Sequence, residues 1–499
     1  MDERHCIMQK DLNKKIGHAT KWSTITELGT KLISPITNAI LARLLAPEVF
    51  GVVATLTLIT SFAEIFTDAG FQKYLVQHEF DNEEDLNLST DIAFWVNLLF
   101  SIIVWVGISL FADPIAEIVG SSGYESSIII MCAEIPLLGF SSIQIARFRR
   151  DFAFKSLFVV RMILALVPLV ITVPAAIVFR SHWALVIGVL AKDVLSGIVL
   201  MVRSKWKPRF RFSFNKLKDM ISFSFWTVLE SVTIWFTTNA GTFIVGSLLG
   251  TYYLGLYKTT ITTIGGYFAI IQSATMPVLF SALSRCQENE QEFCGIVFRF
   301  QHLVALLVFP LGFGIFVYRD FVTLILLGRQ WMEVADFLGI YALSCSMVFI
   351  FSYYNSEIFR SKGKPKFSMI AQIVYFIFLV PALYYSTYSS FEMLCFTSTM
   401  SRIVLIIATS TIAHFSFHIK FGSVIKNVLP SLVSSMIMAI FGYIISNLFV
   451  NIIWEIFTIM LCVIVYFLCV FIMPAGRKQI MEIPILKKFL IRLYNFENM

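Results

Sequence analysis

Charge is what this sequence has least of. Only 14% of its 499 residues are Asp, Glu, Lys or Arg, against about 25% in a soluble domain. With 57% hydrophobic residues and a mean hydropathy of +0.78, water-soluble classes are excluded, and the chain reads as an all-α integral membrane protein. Metal-ligand spacing is missing too. The seven histidines are dispersed (His5, His18, His78, His182, His302, His414 and His418). Only His414 and His418 share a helical spacing, without the Glu and third ligand of a metal site. The eight cysteines build no disulfide framework, and Cys286 and Cys294 have no zinc-type partners nearby. Cys462 and Cys469 fall on one helix face as packing residues. The start, MDERHCIMQKDLNKK, has no apolar core of a signal peptide. Segments 112–123 and 319–334 are the longest expected outer loops and leave no room for an extracytoplasmic domain. A membrane polymerase, ligase or acyltransferase generally needs such a loop or a His/carboxylate constellation, so an enzyme is the weaker reading, and neither metal nor cofactor is expected.

What is present is a succession of apolar runs. They predict spans near 22–44, 50–71, 88–111, 124–146, 156–179, 182–202, 218–247, 252–280, 296–318, 335–359, 367–388, 391–413, 427–450 and 452–473, each near the length that crosses a bilayer. The span over 124–146 carries Glu134 and Pro136 and is the least regular. Lys and Arg decide the count. With the N-terminus in the cytoplasm, about 29 fall on the inner side and about 5 outside (Arg43, Arg180, Lys258, Arg319, Arg329). Basic short loops resist translocation, so fourteen spans with both ends inside fit best. The net charge of +7 is then a mark of topology, and no nucleic-acid partner is expected. The basic-aromatic stretch 203–218, RSKWKPRFRFSFNKLK, should lie against anionic headgroups of membrane lipids. The tail segment 478–496 has the pattern of an interfacial amphipathic helix.

A weak internal repeat runs at half-chain spacing. GSLLGTYYLGLY (Gly246–Tyr257) lies over ARLLAPEVFGVV (Ala42–Val53), with Leu248-Leu249 on Leu44-Leu45 and Gly255 on Gly51. Repeats of this kind mark two helical halves in many transporters. The longer run LLAPEVFGVVATLTLITSFAEIFTDAGFQKYLVQ resembles the polysaccharide-transporter (oligosaccharide flippase, Wzx-type) branch of the MOP superfamily. That branch opens its second span on L-x-P-x-x-[FY]-G and closes it with acidic-x-Gly, here Asp68-Ala69-Gly70. LLGRQW (Leu326–Trp331) and SKGKPK (Ser361–Lys366) keep the family's order. One departure stands out: where relatives often carry a seventh-span carboxylate, this chain reads TTNAGTFIVGSLLG, with Asn239 and Gly241.

The resemblance implies a MATE-like fold of two six-helix bundles plus two C-terminal helices. It divides the chain into a cytoplasmic N-terminus (1–21), a first lobe (22–202), a basic linker (203–217), a second lobe (218–413), helices 13 and 14 (414–474) and a basic cytoplasmic tail (475–499). It also implies alternating-access export of an undecaprenyl-diphosphate-linked oligosaccharide across the bacterial cytoplasmic membrane for O-antigen, capsule or exopolysaccharide, alongside other polysaccharide assembly proteins. A multidrug cation extruder on the same fold is the alternative within transport.

Such a cargo needs a cationic site for its diphosphate. A charge inside a span costs about 2.5–3.5 kcal/mol on insertion scales, so each one is a candidate. Lys31, Lys192 and Arg402 fall mid-span; Arg161 and Arg299 fall near a boundary, where snorkelling competes. For Lys192 the competitor is neutralisation by Asp193. Among the acids, Glu64 and Asp68 share a helix face, and with Glu230 and Glu357 they are candidates for gating or for coupling to protons or sodium; Asp68 also suits a helix end. Trp226, Trp235, Tyr353 and Tyr354 could stack on sugars or simply pack.

Overall fold

A computed structural model describes residues 29–477, apart from 31, 32, 69, 70, 152, 288, 450 and 475. Lys31 and the tail over 478–496 lie outside the described residues, as do the side chains of Asp68, Trp226 and Glu230. Among the described residues the regular structure is helical, with no strand. With most side chains apolar and lipid unable to satisfy a backbone amide, helices close their hydrogen bonds internally.

Among the described residues, twelve helices are long and apolar enough to cross a membrane. One of them, Ile234–Arg285, has 52 residues and holds the seventh and eighth expected spans. The helix over 33–44 belongs to the first. The irregular fourth span is present as Glu125–Arg150, broken by a turn at Cys132-Ala133 just ahead of Glu134.

The chain forms two compact units, Met1–Thr259 and Thr260–Met499. Unit 1 contains α1 (33–44), α2 (Pro47–Asp68), α3 (Phe71–Gln77), α4 (Glu83–Leu110), α5 (Ala112–Ile118), α6 (Glu125–Met131), α7 (Glu134–Arg150), α8 (Phe154–Val167), α9 (Val173–Phe179) and α10 (His182–Arg203). It also takes α11 (Phe214–Arg285) as far as Thr259. A π-helical turn, Pro168–Thr172, joins α8 to α9. Its apolar core sets Val52 and Leu56 of α2 against Ile128, Met131, Ile135 and Val186.

The linker after α10 is clamped to unit 1. Asp91 of α4 is 1% exposed. It accepts hydrogen bonds from Trp206 Nε1 at 3.0 Å and the Arg209 amide at 3.1 Å, and pairs with Arg211 at 3.6 Å. Lys216 pairs with Asp85 at 2.7 Å, and Trp206 is buried in the core beneath. The expectation of a lipid-facing linker is therefore corrected in part. Trp206, Arg211 and Lys216 face protein acids or core, while Phe210, Phe212 and Phe214 stay exposed.

Unit 2 continues with α12 (Glu290–Val317), α13 (Arg319–Leu326), α14 (Ala335–Val348), α15 (Tyr354–Ser361), α16 (Lys366–Ser386), α17 (Phe391–Phe417), α18 (Phe421–Ser446) and α19 (Ile452–Ile472). A second π-helical turn, Phe349–Tyr353, joins α14 to α15. The LLGRQW motif closes the α13–α14 loop by burying Leu327 and Trp331. The last two helices dock on α12, where Tyr466 donates to the Leu306 carbonyl at 2.9 Å.

Candidate functional site

Unit 1 holds a cavity of about 410 Å³ between α1, α2, α8, the first π turn and α10. Arg161 and Lys192 line it, with Ser34, Thr37, Asn38 and Thr172 as its hydroxyl and amide groups. Two of the expected basic residues are thus brought together. Thr30, immediately before Lys31, lines the same space.

Lys192 does not stand free. Its Nζ lies 3.4 Å from Asp193 Oδ1, and Asp193 is only 2% exposed. Glu134 is in electrostatic reach of Asp193, of Lys192 and of Glu64 on α2. The cluster joins three acids to one base. This settles the rotamer question left by sequence: although adjacent helical residues diverge, the long lysine stem bends back to its neighbour. Glu134 and Asp193 lie 59 positions apart, and no local spacing announces their contact.

Unit 2 treats its cation differently. Arg402, midway along α17, donates from Nη1 to Cys345 Sγ at 3.1 Å. Its guanidinium carbon lies 4.7 Å from the centre of the Tyr341 ring. Tyr353, at the end of the second π turn, also hydrogen-bonds to it, and Tyr375 is close by. Tyr341 and Cys345 are one helical turn apart on α14 and so present one face. The groups around Arg402 are thus one thiol and three phenols.

The remaining candidates separate from these clusters. Glu357 pairs with Arg360 of its own helix at 3.0 Å, a local bond that answers its charge. Arg299 lies on α12 and lines neither the unit 1 cavity nor the Arg402 cluster. Tyr354 is a packing residue, its hydroxyl donating to the Phe300 carbonyl at 3.2 Å. Trp235 donates to Ser61 at 3.0 Å and packs on Phe62. Lys258, counted from sequence on the outer side, lies on α11 eight residues past the break at Gly250 and reaches Thr242 at 3.4 Å. The Tyr-Tyr-Leu-Gly-Leu-Tyr run before it is helix, within the expected span 252–280.

The repeat also meets itself. Both links break at equivalent positions, Ala46 and Gly250, and α2 and α11 then cross at Gly51 and Gly255. A Cβ on Gly51 would sit 1.7 Å from the Thr251 carbonyl oxygen, and one on Gly255 would sit 1.9 Å from that of Pro47. Each would also lie 3.0 Å from the other glycine's nitrogen. Shifting either contact by 204 residues generates the other, so this is a local two-fold crossing with backbone on backbone, open only to glycine.

A family description, "Polysaccharide biosynthesis protein", matches residues 40–336, more than half of the chain. The chain belongs to the polysaccharide biosynthesis protein family. Within it, the chain is 25% identical over 338 residues to the succinoglycan biosynthesis transport protein ExoT of Rhizobium meliloti, covering 68% of this chain and 67% of that one. It is 19% identical to the lipopolysaccharide biosynthesis protein WzxC of Escherichia coli, over 65% of each. Among solved structures, the lipid II flippase MurJ in an inward closed conformation superposes with a TM-score of 0.73 at 12% identity, over 91% of this chain and 98% of that one. An inward-facing MATE-family multidrug transporter superposes at 0.56, also at 12% identity, over 81% and 99%. These likenesses bear out the MOP-superfamily resemblance and the MATE-like helical fold of this family member. The protein is a multi-pass membrane protein, and its named relatives are transport and biosynthesis proteins.

Proposed function

We propose that this protein is a flippase that moves lipid-linked oligosaccharide units across the bacterial cytoplasmic membrane for surface polysaccharide synthesis. The observation that carries the reading is the unit 1 cavity, whose largely apolar wall carries both Arg161 and Lys192 within the membrane-spanning helices of a family named for polysaccharide biosynthesis. A diphosphate needs charge-assisted donors there, while a prenyl tail needs none and stays in lipid. Relatives named for succinoglycan transport and lipopolysaccharide and teichuronic acid biosynthesis support the same class of cargo. In this reading both termini are cytoplasmic, the lobes divide at the 203–217 linker, and other polysaccharide assembly proteins act beside it. The acid cluster beside Lys192 is the coupling group. Cargo diphosphate competes with Asp193 for the lysine, and proton uptake by the acid cluster adjusts the local charge as cargo arrives and leaves. Alternating access then requires the Gly51–Gly255 crossing to part and re-form.

The test is flipping by the full chain in proteoliposomes, with an undecaprenyl-diphosphate-linked oligosaccharide and protection from an external glycosidase as readout. The Arg161→Gln/Lys192→Gln double variant should lower the rate at least about tenfold, the scale of one lost charge-assisted hydrogen bond. An unchanged rate would remove the cavity from the transport path. The multidrug alternative predicts instead efflux of organic cations by the same vesicles.

A further inference from the structure

Arg402 is an ionised group inside a membrane-spanning helix, and among the described residues no carboxylate is in contact with it. Its described partners are Cys345, Tyr341, Tyr353 and Tyr375. A thiol and a phenol can accept a hydrogen bond, and a ring face attracts a cation, but none of them carries a countercharge at neutral pH. In low-dielectric surroundings an uncompensated guanidinium is a strong attractor for an anion. The surroundings also fix the plane of the group, since Tyr341 stacks on one face and Cys345 holds one edge. Tyr353 is aimed at it by a π-helical turn, a backbone irregularity that recurs at functional sites. A five-donor planar fork held in this way matches a planar or tetrahedral oxyanion.

We propose that Arg402, stacked on Tyr341 and tethered to Cys345, is an oxyanion-binding residue of unit 2 that engages an acidic group of the cargo in transit. This rests on the flippase reading for what the cargo is, but the binding chemistry stands without it. The oxyanion has two possible sources: the diphosphate of the lipid carrier, or a carboxylate on one of its sugars.

The test uses the purified full-length protein in detergent carrying Arg161→Gln and Lys192→Gln, which silences the unit 1 cavity. Inorganic pyrophosphate and free galacturonate are the probes, thermal stabilisation is the readout, and chloride at equal ionic strength is the control. The proposal expects one probe to stabilise this background, and Arg402→Gln to weaken that binding about tenfold or more. Stabilisation by galacturonate assigns the site to the glycan; stabilisation by pyrophosphate assigns it to the carrier. Tyr341→Leu keeps the charge and loses the stacked ring, and should weaken binding by a smaller factor, which tests the site even where Arg402→Gln does not fold. No stabilisation by either probe, or stabilisation that Arg402→Gln and Tyr341→Leu leave unchanged, overturns the proposal. Because the readout is binding, a chain that binds but fails to flip lipid-linked oligosaccharide would sink the flippase reading and leave this site standing.

Discussion

The two units handle an intramembrane cation in opposite ways. In unit 1, Lys192 sits among Asp193, Glu134 and Glu64, so the protein supplies more negative charge than positive. In unit 2, Arg402 sits among a thiol and phenols, and the protein supplies no negative charge to it. The first arrangement suits exchange: a cargo anion can displace Asp193 from the lysine, with a proton to balance the account. The second suits capture, since an arriving oxyanion displaces nothing charged. Two glycines mark a second contrast. The Gly51–Gly255 crossing of unit 1 is backbone on backbone, whereas Gly442 in unit 2 faces the ends of side chains. One cation is surrounded by acids; the other is met by neutral groups.

The largest effect that would test this contrast is at the tight crossing. In Gly51→Ala, or Gly255→Ala, the new methyl meets a carbonyl oxygen of the facing helix, which cannot rotate away. Overpacking of ordinary cores costs about 1–3 kcal/mol, and a rigid backbone obstacle should put both variants at or above the top of that range. Both should melt well below wild type in detergent and should lose flipping together. Unequal effects would show that the two-fold relation is not what the crossing uses.

Next in size is converting unit 2 into a copy of unit 1. Cys345→Asp places a carboxylate where a thiol now lies 3.1 Å from Arg402. The internal ion pair should cut transport at least about tenfold by occupying the guanidinium, with normal amounts of protein in the membrane. Cys345→Ser, a similar volume without the charge, should stay near wild type. If both variants transport alike, charge capture at Arg402 is not part of the cycle.

The converse change acts on unit 1 and is smaller. Glu134→Gln removes one titratable carboxyl from the cluster at similar volume, so the rate should become insensitive to pH across the range where wild type responds. The rate at the wild-type optimum should fall only a few-fold, because Lys192 and Arg161 remain. A pH profile with the wild-type shape would take Glu134 out of the coupling role and leave Glu64 to be tested.

How far the sequence reached follows from which interactions are local. Helix periodicity and Lys/Arg asymmetry are read within one span or loop, so the helical class and the irregular fourth span could be recognised from residues alone. The alignment of Gly51 on Gly255 was also readable, because a repeat is visible at any separation. That these two glycines touch was not, since alignment says nothing of contact. Sequence offered Asp193 as the competing partner of Lys192, but a rotamer decides that pairing, and Glu134 reaches the same cluster from two spans away. Arg402 was picked out by its depth, yet its surroundings come from three other elements: Tyr341 and Cys345, Tyr353, and Tyr375. Local physics marked the charged residues; only packing showed which of them are already answered.

The smallest expected effect closes the comparison from the side of unit 2. A Cβ on Gly442 would lie 2.9 Å from Cys462 Sγ and 3.2 Å from the Tyr318 hydroxyl. Both atoms end side chains, and they hold each other in a weak 3.3 Å contact, with Cys462 also 3.8 Å from the Met438 carbonyl. A rotation of either relieves the overlap at the expense of that contact, so Gly442→Ala should cost about 1 kcal/mol, at the lower end for added core volume. Combining it with Cys462→Ala removes the nearer obstacle and should recover most of the lost melting temperature. Neither change should alter flipping, because both lie in the core that docks α18 and α19 on α12, away from Arg402. A Gly442→Ala variant as damaged as Gly51→Ala would mean that the contact at Gly442 is as rigid as the Gly51–Gly255 crossing, and that the contrast between these glycines fails.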